Sequence, residues 1–158
     1  MNYVIREMRP EETPLLRDFL YWAIFVPEGE PAPPRAILEK PELRVYLDEF
    51  GSRPADCCLV AEADGRVVGA VWTRIMDDYG HVDDETPSFA ISLRPEARGQ
   101  GAGTALMRAM LDTLRRDGFR RASLAVQKAN YALSMYRKVG FEIVGENDEE
   151  YIMVCQLQ

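Results

Sequence analysis

The stretch from Ser88 to Thr104, SFAISLRPEARGQGAGT, constrains this chain more than any other part of it. Phe89, Ile91 and Leu93 alternate with Ala90 and Ser92 as in a strand, and Pro95, which has no N–H to give, predicts that the strand stops near Arg94. Gly99, Gly101 and Gly103 then let the backbone turn with no Cβ in the way, so that successive N–H groups can point at one guest. A helix beginning here adds unpaired N–H groups and the positive end of its dipole, a combination suited to phosphate. The plainer reading of the same glycines is a flexible surface turn.

Two widespread phosphate motifs fail on spacing. The dinucleotide pattern G-x-G-x-x-G counted from Gly99 puts Thr104 in the third glycine slot, and the P-loop needs a Gly-Lys pair that is absent here. A nucleotide-binding regulator is therefore poorly supported. What remains is R-x-x-G-x-G, which Arg98 to Gly103 satisfies.

The rest of the chain supplies the context. Its 158 residues suit one domain over 1–158, long enough to bury about two thirds of the unfolded surface. No apolar run approaches the ~20 residues that span a membrane, so no membrane partner is expected. The opening MNYVIREMRP lacks the apolar core of a signal peptide, and Cys57, Cys58 and Cys155 give neither a disulfide framework nor a zinc spacing. A cytoplasmic location is the expectation. A net charge of −7 disfavours nucleic acid as a partner and mildly favours a cationic one.

In order, Tyr3 to Ile5 reads as a strand, Glu11 to Phe25 as a helix with an aromatic end, and Pro41 to Phe50 as a second helix stopped by Gly51. Cys58 to Ala63 and Arg66 to Ile75 form a hairpin about Asp64-Gly65. Five carboxylates between Asp77 and Glu85 read as a solvated tip; His81 among them, the only histidine, has no second ligand motif, so no metal is expected. Ala102 to Asp117 is an amphipathic helix and Arg121 to Val126 the parallel strand it crosses to. The glycine loop thus lies outside the carboxyl end of a strand, where ligands of α/β sheets bind. Asn130 to Lys138 is a short helix with Asn130 as its N-cap, and Phe141 to Val144 and Tyr151 to Leu157 are closing strands around a polar tip, Glu146 to Glu150.

Two motifs in this order, R-x-x-G-x-G at Arg98–Gly103 and Asn130-Tyr131-Ala132 followed by Tyr136 and Gly140-Phe141, resemble those of the GCN5-related N-acetyltransferase (GNAT) superfamily. The element order β-α-α-β-β-β-α-β-α-β-β resembles that family along the whole chain. The resemblance implies an α/β fold of the mixed α+β kind: a mostly antiparallel sheet of about seven strands flanked by four helices. It implies acetyl-CoA as acyl-donor cosubstrate, without metal, and a small-molecule or peptide amine as acceptor. The cofactor residues would be Ile91, Ser92, Leu93, Arg98, Gly99, Gln100, Gly101, Ala102, Gly103, Thr104, Asn130 and Tyr136. A backbone N–H near Ile91 would polarise the thioester carbonyl.

The same resemblance makes Tyr136 the general acid, since a phenol of pKa ~10 keeps its proton at neutral pH. Glu85 would be the base, with Asp83 and Asp84 as substitutes. The acceptor walls are expected from the Tyr21–Pro34 region, with Tyr21, Trp22 and Phe25 named, and from the acidic connection through Asp83. The alternative for those rings is an ordinary core. The three cysteines read as structural. A homodimer through edge or end strands is compatible with the resemblance, although no residue specifies an interface. A non-catalytic acyl-CoA sensor with the same fold is the competing function.

Overall fold

The computed structural model describes residues 2–158. Seven strands form one sheet in the order β1-β2-β3-β4-β5-β7-β6. In chain order the elements are β1 (Val4–Glu7), α1 (Leu15–Ala23), α2 (Pro41–Arg44), β2 (Cys57–Ala63), β3 (Arg66–Arg74), β4 (Ser88–Leu93), α3 (Ala102–Arg116), β5 (Arg121–Gln127), α4 (Leu133–Lys138), β6 (Phe141–Glu146) and β7 (Glu150–Gln156). This is the order expected from the sequence. Neighbouring strands pair antiparallel except β4 and β5.

Helices cover both faces because the strands are apolar on both. On β2, Leu59, Ala61 and Ala63 join the cluster under α3, whereas Cys58 and Val60 join Leu16, Phe19 and Leu20 of α1 on the other face. That is the period of two that a strand imposes. Six buried residues of α3, from Ala102 to Leu114, seat it on the sheet. Between β2 and β3, Asp64 and Gly65 both take positive φ, 52° and 75°, as the expected tight hairpin demands.

Three local expectations need correction. The first helix starts at Leu15, not Glu11, because Glu12 is drawn away to Arg6 by two hydrogen bonds of 2.9 and 2.8 Å and Pro14 occupies the N-cap. It also ends early: Ile24 is extended, which swings Ile24 and Phe25 out of the helix. The second helix is a single turn, Pro41–Arg44, followed by tighter turns. Its extension fails where buried Arg74 takes the Val45 carbonyl at 3.0 Å and Glu49 turns to φ 55°. Arg74 is held there by Asp56, both side chains fully buried and 3.0 Å apart.

The acidic connection after β3 is not a solvated tip throughout. Asp78 turns inward, accepting from the Tyr46 hydroxyl at 3.1 Å and the Ser88 hydroxyl at 3.2 Å. Next to it Gly80 lies flat on β5: its carbonyl accepts from the Ser123 hydroxyl at 2.8 Å, and a Cβ there would stand 3.1 Å from the Ala125 nitrogen. Asp83 to Glu85 stay on the outside. Among the described residues no helix is long and apolar enough to cross a membrane, and no three His, Cys, Asp or Glu side chains gather to hold a metal.

Candidate active site

The parallel strands β4 and β5 share one bridge, Ser88 opposite Ser123, beside a 2.9 Å bond from the Ser123 N–H to the Pro87 carbonyl. Past that point they part. The edge of β4 facing the opening follows from its other ladder: the Arg94 N–H donates to the Val68 carbonyl at 2.8 Å, toward β3. Peptide groups alternate along a strand, so Ala90 and Ser92 also face β3, while Ile91 and Leu93 turn theirs toward β5 and the opening.

At the outer end the chain runs through a 3-10 turn, Pro95–Ala97, and the glycines into α3. Gly101 is the N-cap with φ 86°, a conformation that a side chain resists, and it provides no capping bond. The first intrahelical bond runs from the Ala105 N–H to the Gly101 carbonyl at 3.2 Å. The N–H groups of Ala102, Gly103 and Thr104 therefore have no acceptor within the helix. Arg98, whose Nη2 donates to the Trp22 carbonyl at 3.2 Å, adds a guanidinium to this rim.

A cavity of about 400 Å³ extends inward from the rim. Its wall carries ten of the residues singled out in the sequence: Tyr21, Trp22, Phe25, Ile91, Ser92, Leu93, Arg98, Gly103, Asn130 and Tyr136. Gly99, Gln100, Gly101, Ala102 and Thr104 continue the backbone between these points, with the Gln100 side chain turned back to the Glu96 carbonyl at 3.4 Å. The Ser92 hydroxyl is engaged by the Phe19 carbonyl at 2.5 Å, so it fastens β4 to α1. Asn130 is not the helix cap: its Oδ1 accepts from the Ala132 N–H at 2.9 Å in a turn that precedes α4, which begins at Leu133. The competition is local, since an Asn side chain closes a turn two residues on as readily as it caps a helix.

Tyr136 is nearly buried, its ring edge-on to Phe141 with centroids 6.3 Å apart. Burial pushes its hydroxyl up to about 12, with a further rise from Tyr131. Burial likewise raises the thiols of Cys57, Cys58 and Cys155.

Behind Tyr136 lies a second cavity of about 260 Å³. The two share wall residues, Phe25, Ile91, Asn130 and Tyr136 among them. The second is walled by Leu20, Tyr46, Phe89, Leu124, Gln127 and Glu150, together with other apolar side chains. Sequence reasoning missed Tyr46, Gln127 and Glu150. Glu150 sits in what reads as a polar tip; only its register opposite Gln127 across β5 and β7 carries it inward. Burial raises its carboxyl, as do the charges of Glu149 and Asp78.

Glu85 and Asp83 lie elsewhere. Both line a depression with Arg120 and Arg121, before the start of β4 and so at the end of that strand away from the glycine loop. Asp83 pairs with Arg121 and accepts from the Thr86 hydroxyl at 2.7 Å and the Glu85 N–H at 2.9 Å; the bonds to Thr86 and Glu85 lead in holding its carboxyl low. Asp84, exposed, is 3.4 Å from His81 Nε2. None of the three reaches either cavity.

Comparison with known proteins fits this geometry. The family model for the acetyltransferase (GNAT) family matches residues 18–141. The chain is 31% identical over 110 residues to a mycothiol acetyltransferase of Pseudarthrobacter chlorophenolicus, covering 69% of this chain and 34% of that one. It is 33% identical over 103 residues to human N-acetyltransferase 8B, covering 65% and 44%. The chain thus spans less than half the length of these relatives. In fold, it resembles a GNAT-family acetyltransferase from Streptococcus pneumoniae at a TM-score of 0.74 and 22% identity, covering 99% of this chain and all of that one. It also resembles the PaiA N-acetyltransferase of Thermoplasma acidophilum in complex with coenzyme A, at 0.71 and 20%, covering 99% of each. With an opened parallel pair, an uncapped helix start and a family match running from α1 into β6, this chain belongs to the GNAT acetyltransferase family.

Proposed function

We propose that this chain moves an acetyl group from acetyl-CoA to an amine by direct attack on the thioester. The observation that carries the reading is the continuity of the opening between β4 and β5 with the uncapped start of α3. Free N–H groups and Arg98 at one end suit the pyrophosphate, and peptide groups of Ile91 and Leu93 along the opening suit an amide-bearing arm. Acetyl-CoA supplies an activated acyl group and a thiol leaving group.

The chain's own residues do the rest. The Ile91 N–H polarises the carbonyl oxygen, stabilising the charge that gathers there on attack. Tyr136, whose phenol stays protonated well above neutrality, donates to the departing sulfur. None of the three cysteines lines either cavity, and burial raises each thiol, which favours direct attack over an acyl-enzyme.

Calorimetric titration with acetyl-CoA, followed by CoA release across a panel of amines, tests this directly. Binding with amine-dependent release is the expected result. Binding without release for every amine would instead favour an acyl-CoA sensor, and failure to bind removes the reading altogether.

A further inference from the structure

The two cavities that meet at Ile91 and Tyr136 carry opposite charge. Among the described residues, Arg98 is the one charged side chain on the larger, and Glu150 the one on the smaller. Resting on the acyl-transfer reading above, we propose that the smaller cavity admits the acceptor, that Glu150 binds its ammonium and then takes its proton, and that the acceptor is a compact primary monoamine with an uncharged apolar body.

Three observations lead there. Leu20, Phe89 and Leu124 make the wall apolar, so the body of the guest is apolar too. At about 260 Å³ the space falls just below the roughly 300–1,000 Å³ of pockets that take drug-sized ligands, so the guest is compact. And among the described residues no lysine or arginine lines it, so the carboxylate of an amino acid would be buried beside Glu150 with no lysine or arginine to offset it. A polyamine fares little better, since Glu150 answers one ammonium and leaves the others against apolar wall.

The groups facing Glu150 leave that carboxylate free for a guest. Asp78, from the connection after β3, and Glu149, its neighbour, both repel it. Tyr46 faces it from the turns after α2 but donates its hydroxyl hydrogen bond to Asp78. Opposite on β5 stands neutral Gln127, and from α4 comes the neutral phenol of Tyr136. Lys128, the nearby cation, is paired with Glu146 and lies over the Tyr151 ring. An incoming ammonium thus supplies the positive charge this carboxylate lacks.

In the reaction Glu150 first takes one proton from the bound ammonium and releases it to solvent; the neutral amine's nitrogen lone pair then bonds to the thioester carbon while the carbonyl π pair moves onto oxygen. That pair then returns, the carbon–sulfur bond breaks with its electrons on sulfur, and sulfur takes the Tyr136 proton. The proton on nitrogen passes to Glu150. The amide and free CoA leave, and proton transfer through solvent from Glu150 to Tyr136 restores both groups.

The probe is 2-phenylethylamine, with phenylalanine and spermidine as the charged competitors, in an assay of CoA release on the full chain. We expect the monoamine to exceed both in kcat/KM by at least about tenfold, and Glu150→Gln to lower its kcat/KM by about 10²-fold while acetyl-CoA affinity holds within about twofold. The acidic limb of the wild-type pH profile should vanish in Glu150→Gln and persist in Glu150→Asp, which keeps a carboxylate. Should Glu150→Gln not fold, the Glu150→Asp profile and the wild-type preference decide. A preference for phenylalanine or spermidine, no turnover of the monoamine by an enzyme that binds acetyl-CoA, or an acidic limb surviving in Glu150→Gln overturns the inference and leaves the cofactor reading standing. Absence of acetyl-CoA binding by the wild type overturns both.

Discussion

The two halves of the opening between β4 and β5 are built from different material. The glycine-loop half is made of backbone: N–H groups at the start of α3 and peptide groups of Ile91 and Leu93, with Arg98 as the charged side chain on the wall. The half behind Tyr136 is made of side chains brought from α1, the turns after α2, β5 and β7. Backbone geometry suits a ligand that never changes. Side chains let the same frame accept a guest of another kind, as one fold hosts different functions through the sites grafted on it.

Four perturbations break or sharpen this contrast. Replacing Tyr136 with Phe, at the junction, should lower kcat by about 10²–10³-fold and leave the acetyl-CoA dissociation constant nearly unchanged, read by steady-state kinetics and calorimetry. An unchanged kcat removes the tyrosine from proton transfer. On the backbone side, Gly101→Ala forces a side chain into φ 86° at a cost of about 1–3 kcal/mol, and we expect acetyl-CoA binding to weaken about tenfold with the acidic limb of the pH profile unmoved.

A third perturbation lies outside both halves. Glu12, bonded to Arg6 foremost, has its carboxyl lowered from 4.5 to about 2. Its folded-state pKa lies below the unfolded one, so its contribution is complete above pH 4.5 and disappears as the pH falls toward 2. Glu12→Gln should therefore flatten the acid side of the stability curve between those values, seen in denaturant midpoints, with kinetics at neutral pH unaffected. The smallest effect is expected from Glu85→Gln. With its carboxylate outside both cavities, kcat/KM should change less than about twofold at every pH; a lost limb would return the base to that end of β4.

What could be read from the sequence follows the same division. Gly99 and Gly101 announce themselves because a turn with positive φ has few other solutions, and Tyr136 is reached by fixed local spacing from Asn130. Glu150 carries no such signal. Its place depends on the β5–β7 register, which pairs residues far apart in the chain, and its neighbourhood reads as a solvated turn. The same long-range logic defeats the second helix, cut short where Arg74 claims a carbonyl from across the fold. Glu85 is a different case: its position before β4 already sets it at the end of the strand away from the glycine loop, and only the family resemblance carries the role of base to it.

The lone Ser88–Ser123 bridge has a mechanical side. Strands β1 to β4 form one ladder and β5 to β7 another, and between them the ordinary rungs give way to that bridge and to Gly80 pressed against β5. Two half-sheets joined this way can separate at the seam without loss of pairing inside either, so the amides of Ile91 and Leu93 should exchange with solvent faster than those of Ala90 and Ser92. A guest that bonds to the exposed edge of β4 supplies missing rungs, slows that exchange and raises the melting temperature with its concentration. The molecule that reacts in the seam would also be what fastens it.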